Sequence, residues 1–194
     1  MNIVVLAGGL SPERNVSLSS GTLIAAALRR KGHRVLLLDV YLGLAALPED
    51  PNTLFDEAGN PAVTVSRDEP DLDALRRSRG NTNELIGPHV VDLCRMADVT
   101  FLALHGAMGE NGQLQALLDV YGIPYTGSGY LGSSLAMDKD IAKTVLAAAG
   151  LRVPRGVRLD RHATPDLDAI LDTVGLPAVV KPCSCDTCAS VCDT

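Results

Sequence analysis

Short apolar runs alternate with longer amphipathic stretches in the first two thirds of the chain. The runs Ile3–Ala7, Val35–Val40 and Val99–Leu104 are too short for helices and have the composition of buried strands. The stretch between the first two runs has the length and the pattern of a helix. A strand, a helix and a strand in this order predict a βαβ unit, and therefore a parallel sheet covered by helices.

The stretch after the first strand carries signals for both ends of a helix. Ser11 is a suitable N-cap, Pro12 fits the first helical position, and Lys31–Gly32 supply a basic last turn and a glycine stop. The expected buried face consists of Val16, Leu23, Ala27 and Leu28.

Residues 43–92 interrupt this regular pattern. They are rich in Pro, Asp, Asn and Arg, which is typical of a variable surface insertion. Within and after the insertion, a strand-like piece is predicted at Ala62–Val65 and a helix at His89–Ala97. A second helix is expected at Gln113–Tyr121, followed by a short strand at residues 123–126.

The character of the sequence changes near residue 130, where we predict a domain boundary between residues 1–130 and 131–194. The elements expected in the second part are helices at 133–137 and 138–149, a strand at Val153–Leu159, a helix that Thr164 caps and that runs to Val174, and a strand at Ala178–Pro182.

Composition narrows the functional classes. Hydrophobic residues make up 46% of the chain but aromatic residues only 3%, so Leu, Val, Ala and Ile must build the core. The net charge of −6 argues against nucleic acid or an anionic membrane as the main partner. The sequence shows neither a transmembrane-length apolar run nor a secretion leader, so a cytoplasmic location is expected.

Candidate chemistry gathers at the ends of two predicted strands. Gly8–Gly9 follow the first strand, and His105 and Gly106 follow the Val99–Leu104 strand. In a parallel sheet these positions share one edge, where glycines let backbone N–H groups approach a ligand. A helix N-terminus favours an anion, and Glu13 can hold an ammonium group. Amides, a carboxylate and an imidazole at one edge suit a zwitterion, namely an amino acid.

Five segments in register resemble the D-alanine–D-alanine ligase family of the ATP-grasp superfamily. The segments are AGGLSPERNVSLSSG (Ala7–Gly21), HGAMGENGQLQA (His105–Ala116), GIPYTGSG, AMDKDIAK (Ala136–Lys143) and LPAVVKP (Leu176–Pro182). The resemblance implies an α/β fold in which a Rossmann-like open parallel sheet, the pre-ATP-grasp domain, precedes an incomplete ATP-grasp lobe. It also implies that the protein can form a homodimer.

The resemblance implies a two-step reaction. ATP phosphorylates the carboxylate of one D-alanine, and the amine of a second D-alanine displaces phosphate from this acyl phosphate to give the dipeptide for peptidoglycan precursors. By position, Glu13 would hold the ammonium group of the first substrate, and His105 would lie at the reacting carboxylate. Ser17 and Val16 would help to shape the same pocket.

The nucleotide site is only partly represented. Lys139 and Lys181 would contact the ATP phosphates by resemblance, whereas the family's Mg²⁺ ligands have no counterpart here. The family also continues past Lys-Pro with a glycine-serine loop, but here the sequence reads KPCSCDTCASVCDT. We therefore expect a truncated form that binds ATP weakly or not at all and is inactive. The residues that select the second substrate are also missing.

The cysteines allow a competing interpretation. Cys183, Cys185, Cys188 and Cys192 could supply four thiolates to a metal, although their spacing is not a standard zinc pattern. A disrupted or poorly determined tail is the favoured explanation, and Cys94 is expected to be a small core residue.

Three other functions are also compatible with the sequence. They are a non-catalytic amino-acid-binding Rossmann-like module, another ATP-grasp carboxylate–amine ligase, and a structural piece without activity. The pairing of His105–Gly106 with Gly109–Glu110 argues against the second.

Overall fold

A computed structural model of the chain describes residues 1–56, 60, 64–160 and 162–184, and the backbone of residues 190–192. The chain divides into two compact units, Met1–Tyr130 and Leu131–Thr194. The elements of the first unit are strands β1 (Asn2–Ala7), β2 (Arg34–Asp39) and β3 (Val99–Leu102), a 3₁₀ helix (Pro51–Phe55), and helices α1 (Arg14–Arg30), α2 (Leu72–Ser78), α3 (Val90–Met96), α4 (Ala107–Glu110) and α5 (Gln113–Val120).

The sheet of the first unit is parallel, with the strand order β2-β1-β3. The predicted α/β class is therefore confirmed. The third strand ends at Leu102 rather than at Leu104, and an isolated parallel bridge from Thr100 to Tyr125 takes the place of the strand predicted at residues 123–126.

Alternating side chains of β1 and β2 form a core on each face of the sheet, as the pleat of a strand requires. One cluster includes Val4, Leu6, Leu36 and Leu38 with Leu93, Leu114 and Leu118 from α3 and α5. The opposite cluster includes Ile3, Val5, Ala7, Val35 and Leu37 with Leu18 and Ala25 from α1. Both faces of the sheet are thus covered by helices.

The first helix begins later than the sequence predicts. Its first residue is Arg14 and its N-cap is Glu13, so the predictions of Ser11 as N-cap and of Pro12 as the first helical residue are wrong. Ser11 instead closes a turn ahead of the helix: its hydroxyl accepts the Glu13 N–H at 3.1 Å, and its carbonyl accepts the Arg14 N–H at 3.0 Å.

The buried face of α1 is also different from the predicted one, because small residues let the helix approach the sheet. Of the predicted face, Val16 and Leu23 are 56% and 69% exposed, whereas Ala27 is half-buried and Leu28 packs against the second cluster. The buried residues of α1 are Ser17, Leu18, Gly21 and Ala25. A Cβ at Gly21 would lie 2.6 Å from the Ala7 Cβ, so close packing here needs glycine.

The predicted surface insertion contributes to the core. Leu54 and Phe55 of the 3₁₀ helix are buried in the first cluster, whereas α2 buries none of its residues. The helix predicted at His89–Ala97 is confirmed as α3. Of the strand-like piece predicted at Ala62–Val65, residues 62 and 63 lie outside the described part of the chain.

The second unit contains short elements, of which α7 and α8 have aspartate N-caps. They are α6 (Tyr130–Met137, which starts at the unit boundary), α7 (Lys139–Ala148), α8 (Leu167–Val174), and strands β4 (Ala178–Val180) and β5 (Ser190–Cys192), which pair antiparallel. The α8 helix is capped by Asp166, whose side chain accepts the Ala169 N–H, and not by Thr164. The strand predicted at Val153–Leu159 is wrong, because these residues have no regular structure.

Candidate functional site

A glycine turn follows β1 at the carboxyl edge of the sheet. Gly8 and Gly9 have φ angles of +74° and +85°, which L side chains rarely adopt. The Gly8 N–H donates to the Ser17 hydroxyl at 2.8 Å, and this hydroxyl donates to the Ala103 carbonyl at 2.7 Å. Ser17 is fully buried. Its hydroxyl therefore joins the ends of β1 and β3 to α1.

Glu13 lies at the N-terminus of α1, where the helix dipole is positive. It is half-buried, and its side chain makes no capping hydrogen bond. No ion pair joins its carboxylate to another residue in the described part of the chain. Val16 lies one turn further along and is exposed. The carboxylate of Glu13 is thus available to a ligand at the edge of the sheet.

His105 follows β3 and reaches the same helix. Its Nε2 atom lies 3.5 Å from the Ser20 hydroxyl. Ser20 comes seven residues after Glu13, which is about two helical turns, so helical periodicity places the two backbone positions near the same side of α1. This spacing corresponds to about 10 Å along the helix axis. The backbone positions of Glu13 and of Ser20, the residue that His105 contacts, are therefore about 10 Å apart along the axis of α1.

The loop after His105 is held by its own side chains. The Gly106 N–H, at a φ angle of +68°, donates to a Glu110 carboxylate oxygen at 2.9 Å. The Gln115 side-chain amide donates to the Gly109 carbonyl at 2.8 Å. These two contacts fix the backbone that follows the imidazole.

An ion pair that the sequence reasoning did not single out lies beside Glu13. Arg14 pairs with Asp39, which ends β2, and both side chains are nearly buried. The aspartate within the otherwise apolar run VLLLDV was the signal that could have revealed it, because buried carboxylates need a partner.

An open pocket of about 290 Å³ lies between the start of α1 and the insertion, and neither Glu13 nor His105 lines it. Its walls are formed by Arg14, Asn15, Thr64, Ser66, Asp68, Glu69, Pro70, Asp71 and Leu75. The acidic lining distinguishes it from the glycine-rich edge described above.

The two predicted phosphate-binding lysines belong to the second unit. Lys139 is the first residue of α7, and Lys181 follows β4. The Lys139 N–H donates to the Cys183 carbonyl at 2.9 Å, which brings the start of α7 next to the chain just after Lys181. Amide hydrogen bonds from Ile141 and Asp140 lower the pKa of the capping Asp138.

Metal-binding and membrane-spanning features are absent from the described residues. These residues contain no group of three or more His, Cys, Asp or Glu side chains that could hold a metal ion. Of the cysteine tail, Cys185 and Cys188 lie outside the described part, and only the backbone of Cys192 is described. None of the described helices combines the length and the apolar character needed to cross a bilayer.

Comparison with known proteins gives consistent matches. A family model described as D-ala D-ala ligase N-terminus matches residues 2–128. The D-alanine–D-alanine ligase of Lacticaseibacillus casei is 42% identical over 189 residues, which cover 95% of this chain and 51% of the relative. The ligase of Desulforudis audaxviator is 38% identical over 179 residues, or 92% of this chain and 44% of the relative.

Solved structures agree with these relatives. A D-alanine–D-alanine ligase from Bacillus anthracis has a TM-score of 0.63 at 27% identity and is matched over 98% of this chain and 48% of its own. The same enzyme complexed with ATP has a TM-score of 0.61 at 28% identity, with 95% and 48% covered. The chain thus spans about half the length of the ligases that it matches.

Proposed function

Because the chain belongs to the D-alanine–D-alanine ligase family, we propose that it supplies the part of such a ligase that binds the first amino acid. The reaction would join two D-alanines through an acyl phosphate. The second amine would attack this acyl phosphate, and phosphate would leave as the peptide bond forms. The observation that carries the proposal is the contact of His105 with Ser20, a residue of the same helix whose N-cap is Glu13.

The spacing of these two groups suits one amino acid. The nitrogen of an α-amino acid lies about 3 to 4 Å from its carboxylate oxygens. A hydrogen bond adds about 3 Å at each end. The total is of the same order as the axial rise of about 10 Å between the backbone positions of Glu13 and Ser20, the residue that His105 contacts. In this arrangement Glu13 accepts from the ammonium group, and His105 donates to the carboxylate that is activated.

The neighbouring residues have separate roles in this proposal. Ser17 is buried with its hydroxyl engaged, so it holds the ends of β1 and β3 in place rather than contacting substrate. Val16 is exposed next to Glu13 and would border the methyl group of the substrate. Of the glycine turn, the Gly9 amide would face the substrate without interference from a Cβ, because the Gly8 N–H already donates to Ser17.

ATP would supply the phosphoryl group when it is bound. The chemistry of Lys139 and Lys181 fits phosphate, because both present ammonium groups and the adjacent backbones are hydrogen-bonded. Within the described residues no carboxylate cluster suits Mg²⁺, so we assign no step to this ion. The ATP-bound relative supports the nucleotide but does not locate it on this chain.

The cellular setting follows from the same family assignment. We propose a cytoplasmic protein that serves the synthesis of peptidoglycan precursors, with a homodimer as its assembly. Size-exclusion chromatography with light scattering tests the assembly directly, and a strictly monomeric protein would contradict it.

Calorimetric titration with D-alanine tests the site. Glu13→Gln should weaken binding at least tenfold, because it removes the charge that pairs with ammonium. Glu49→Gln, which changes an exposed carboxylate elsewhere in the first unit, should leave the affinity unchanged. Equal affinities for all three proteins would contradict the proposed role of Glu13.

Phosphate release in the presence of ATP and D-alanine tests turnover. We propose that a polypeptide of these 194 residues alone has no detectable turnover, since it spans about half of its relatives. A chimera that continues after Pro182 with the remainder of the L. casei ligase should be active and should lose activity on His105→Ala, but not on His33→Ala. Robust activity of the 194-residue chain would refute the proposed absence of turnover. Binding of D-alanine together with an inactive chimera would favour a non-catalytic binding module.

A further inference from the structure

The Arg14–Asp39 ion pair lies directly next to Glu13 and has no part in the chemistry proposed above. The Arg14 Nη2 atom contacts Asp39 Oδ2, and the two side chains are only 11% and 9% exposed. The other guanidinium nitrogen, Nη1, donates to the Gly9 carbonyl at 3.0 Å. Arg14 therefore connects the first turn of α1 both to the end of β2 and to the glycine turn.

Asp39 is itself fixed by the backbone that follows it. Its Oδ1 atom accepts the N–H groups of Tyr41 at 2.9 Å and Leu42 at 3.0 Å. A Cβ at Gly8 would collide with Asp39 Oδ2, so the glycine turn packs directly on the carboxylate. The ion pair thus holds three segments together at the carboxyl edge of the sheet.

Glu13 depends on this support because its own side chain is not anchored. Its backbone N–H donates to the Ser11 hydroxyl and its carbonyl accepts the Ser17 N–H at 3.0 Å. The carboxylate makes no capping hydrogen bond. Its position is therefore set by the backbone of the first turn, which the neighbouring Arg14 ties to the sheet.

We propose that Arg14 and Asp39 are positioning residues that hold Glu13 where the ammonium group of an amino acid binds. This inference rests on the proposed function of Glu13. The guanidinium is required because its planar fork contacts a carboxylate and a carbonyl at once, which a lysine ammonium does not reproduce with the same geometry. A small displacement of Glu13 is enough to lower affinity, since binding depends on placement within about an ångström.

Calorimetry with D-alanine tests the inference in Arg14→Lys and Asp39→Asn. Each variant should bind D-alanine at least about fivefold more weakly. Arg34→Lys is the matched control, because Arg34 pairs with Asp56 at 2.8 Å at the opposite, exposed end of β2. Its affinity should equal that of the unchanged protein. Within a Glu13→Gln background, Arg14→Lys should have no further effect, since coupled residues are non-additive.

Hydrogen exchange separates this inference from the proposed function. Exchange of the Ser17 amide, which donates to the Glu13 carbonyl, should accelerate in Arg14→Lys and in Asp39→Asn but not in Arg34→Lys. If the unchanged chain does not bind D-alanine, the proposed function fails, and Ser17 exchange still decides the positioning role. Unchanged exchange would overturn the inference. The inference would also be overturned if Arg14→Lys lowered the affinity equally in the unchanged and the Glu13→Gln backgrounds. Circular dichroism that shows both variants to be unfolded would overturn it as well.

Discussion

The two compact units handle their apolar residues differently. In the first unit Leu36 and Leu38 are completely buried between the sheet and its helices, and Tyr41, just after β2, is also completely buried. In the second unit none of the described residues is buried, and apolar side chains such as Leu131 and Leu167 are 59% and 65% exposed. Both units nevertheless contain α-helices, including one of eight residues in the first (α5) and two of eight residues in the second (α6 and α8).

The difference separates local from long-range determinants of structure. Helices α7 and α8 have aspartate N-caps whose side chains accept amide hydrogen bonds at the first turn. Such caps contribute roughly 1 kcal/mol each, which defines where a helix starts but does not build a core. The parallel sheet adds contacts between residues that are distant in sequence, and these bury the side chains. We therefore expect the stability of the chain to reside mainly in the first unit.

Hydrogen exchange should show the largest contrast. Amides of β1 and β2 are expected to exchange roughly three orders of magnitude more slowly than those of α7 and α8, because their opening requires unfolding of the core. Exchange followed by mass spectrometry of peptides from each unit provides the measurement. Similar protection of the two units would show that the second has a stable core of its own.

Cysteine reactivity should give the next largest contrast. Burial raises the pKa of the Cys94 thiol to about 11, whereas Cys183 is only half-buried. Because the thiolate is the nucleophile, Cys94 should react with iodoacetamide at pH 8 about a hundredfold more slowly than Cys183. Its rate should rise about tenfold per pH unit until the pH approaches this pKa. Peptide mapping of the labelled native protein measures both rates. Equal labelling of Cys94 and Cys183 would contradict the prediction.

Two glycine-to-alanine substitutions, one in each unit, should give a smaller contrast, measured as the change in the free energy of unfolding. Gly21→Ala should lower the free energy of unfolding by about 1–3 kcal/mol, because its Cβ would lie 2.6 Å from that of Ala7. Gly132→Ala in α6 meets nothing within 4 Å and should raise helix stability by up to about 1 kcal/mol. Urea unfolding followed by circular dichroism gives both values. The same sign for both substitutions would contradict the packing described for α1.

The sequence was informative where signals were local or repeated. The three strands, the α3 helix and the glycine-rich edge of the sheet were all predicted from apolar runs and glycine positions. The buried face of α1 was not predicted correctly. The small residues Gly21 and Ala25 are buried on the sheet, whereas the larger Val16 and Leu23 are exposed. Apolar periodicity records hydrophobicity, whereas close packing on a sheet depends on side-chain size.

Prediction of the candidate site was similarly uneven. Motif resemblance pointed to Glu13 and His105, but it did not reveal the contact of His105 with Ser20 or the pairing of Arg14 with Asp39. These contacts join residues that are 85 and 25 positions apart, and only the order of the strands brings them together. The ligand-binding roles themselves stay predictions.

Backbone NMR of the ¹⁵N-labelled chain during titration with D-alanine tests the central claim most directly. The account predicts saturable shifts of amide signals at Gly8, Gly9, Ser20 and Gly106, at the edge where β1 and β3 end. Signals from the second unit and from the acidic pocket at residues 64–75 should not move. The absence of shifts at saturating D-alanine, or shifts confined to that pocket, would contradict an amino-acid site between Glu13 and His105.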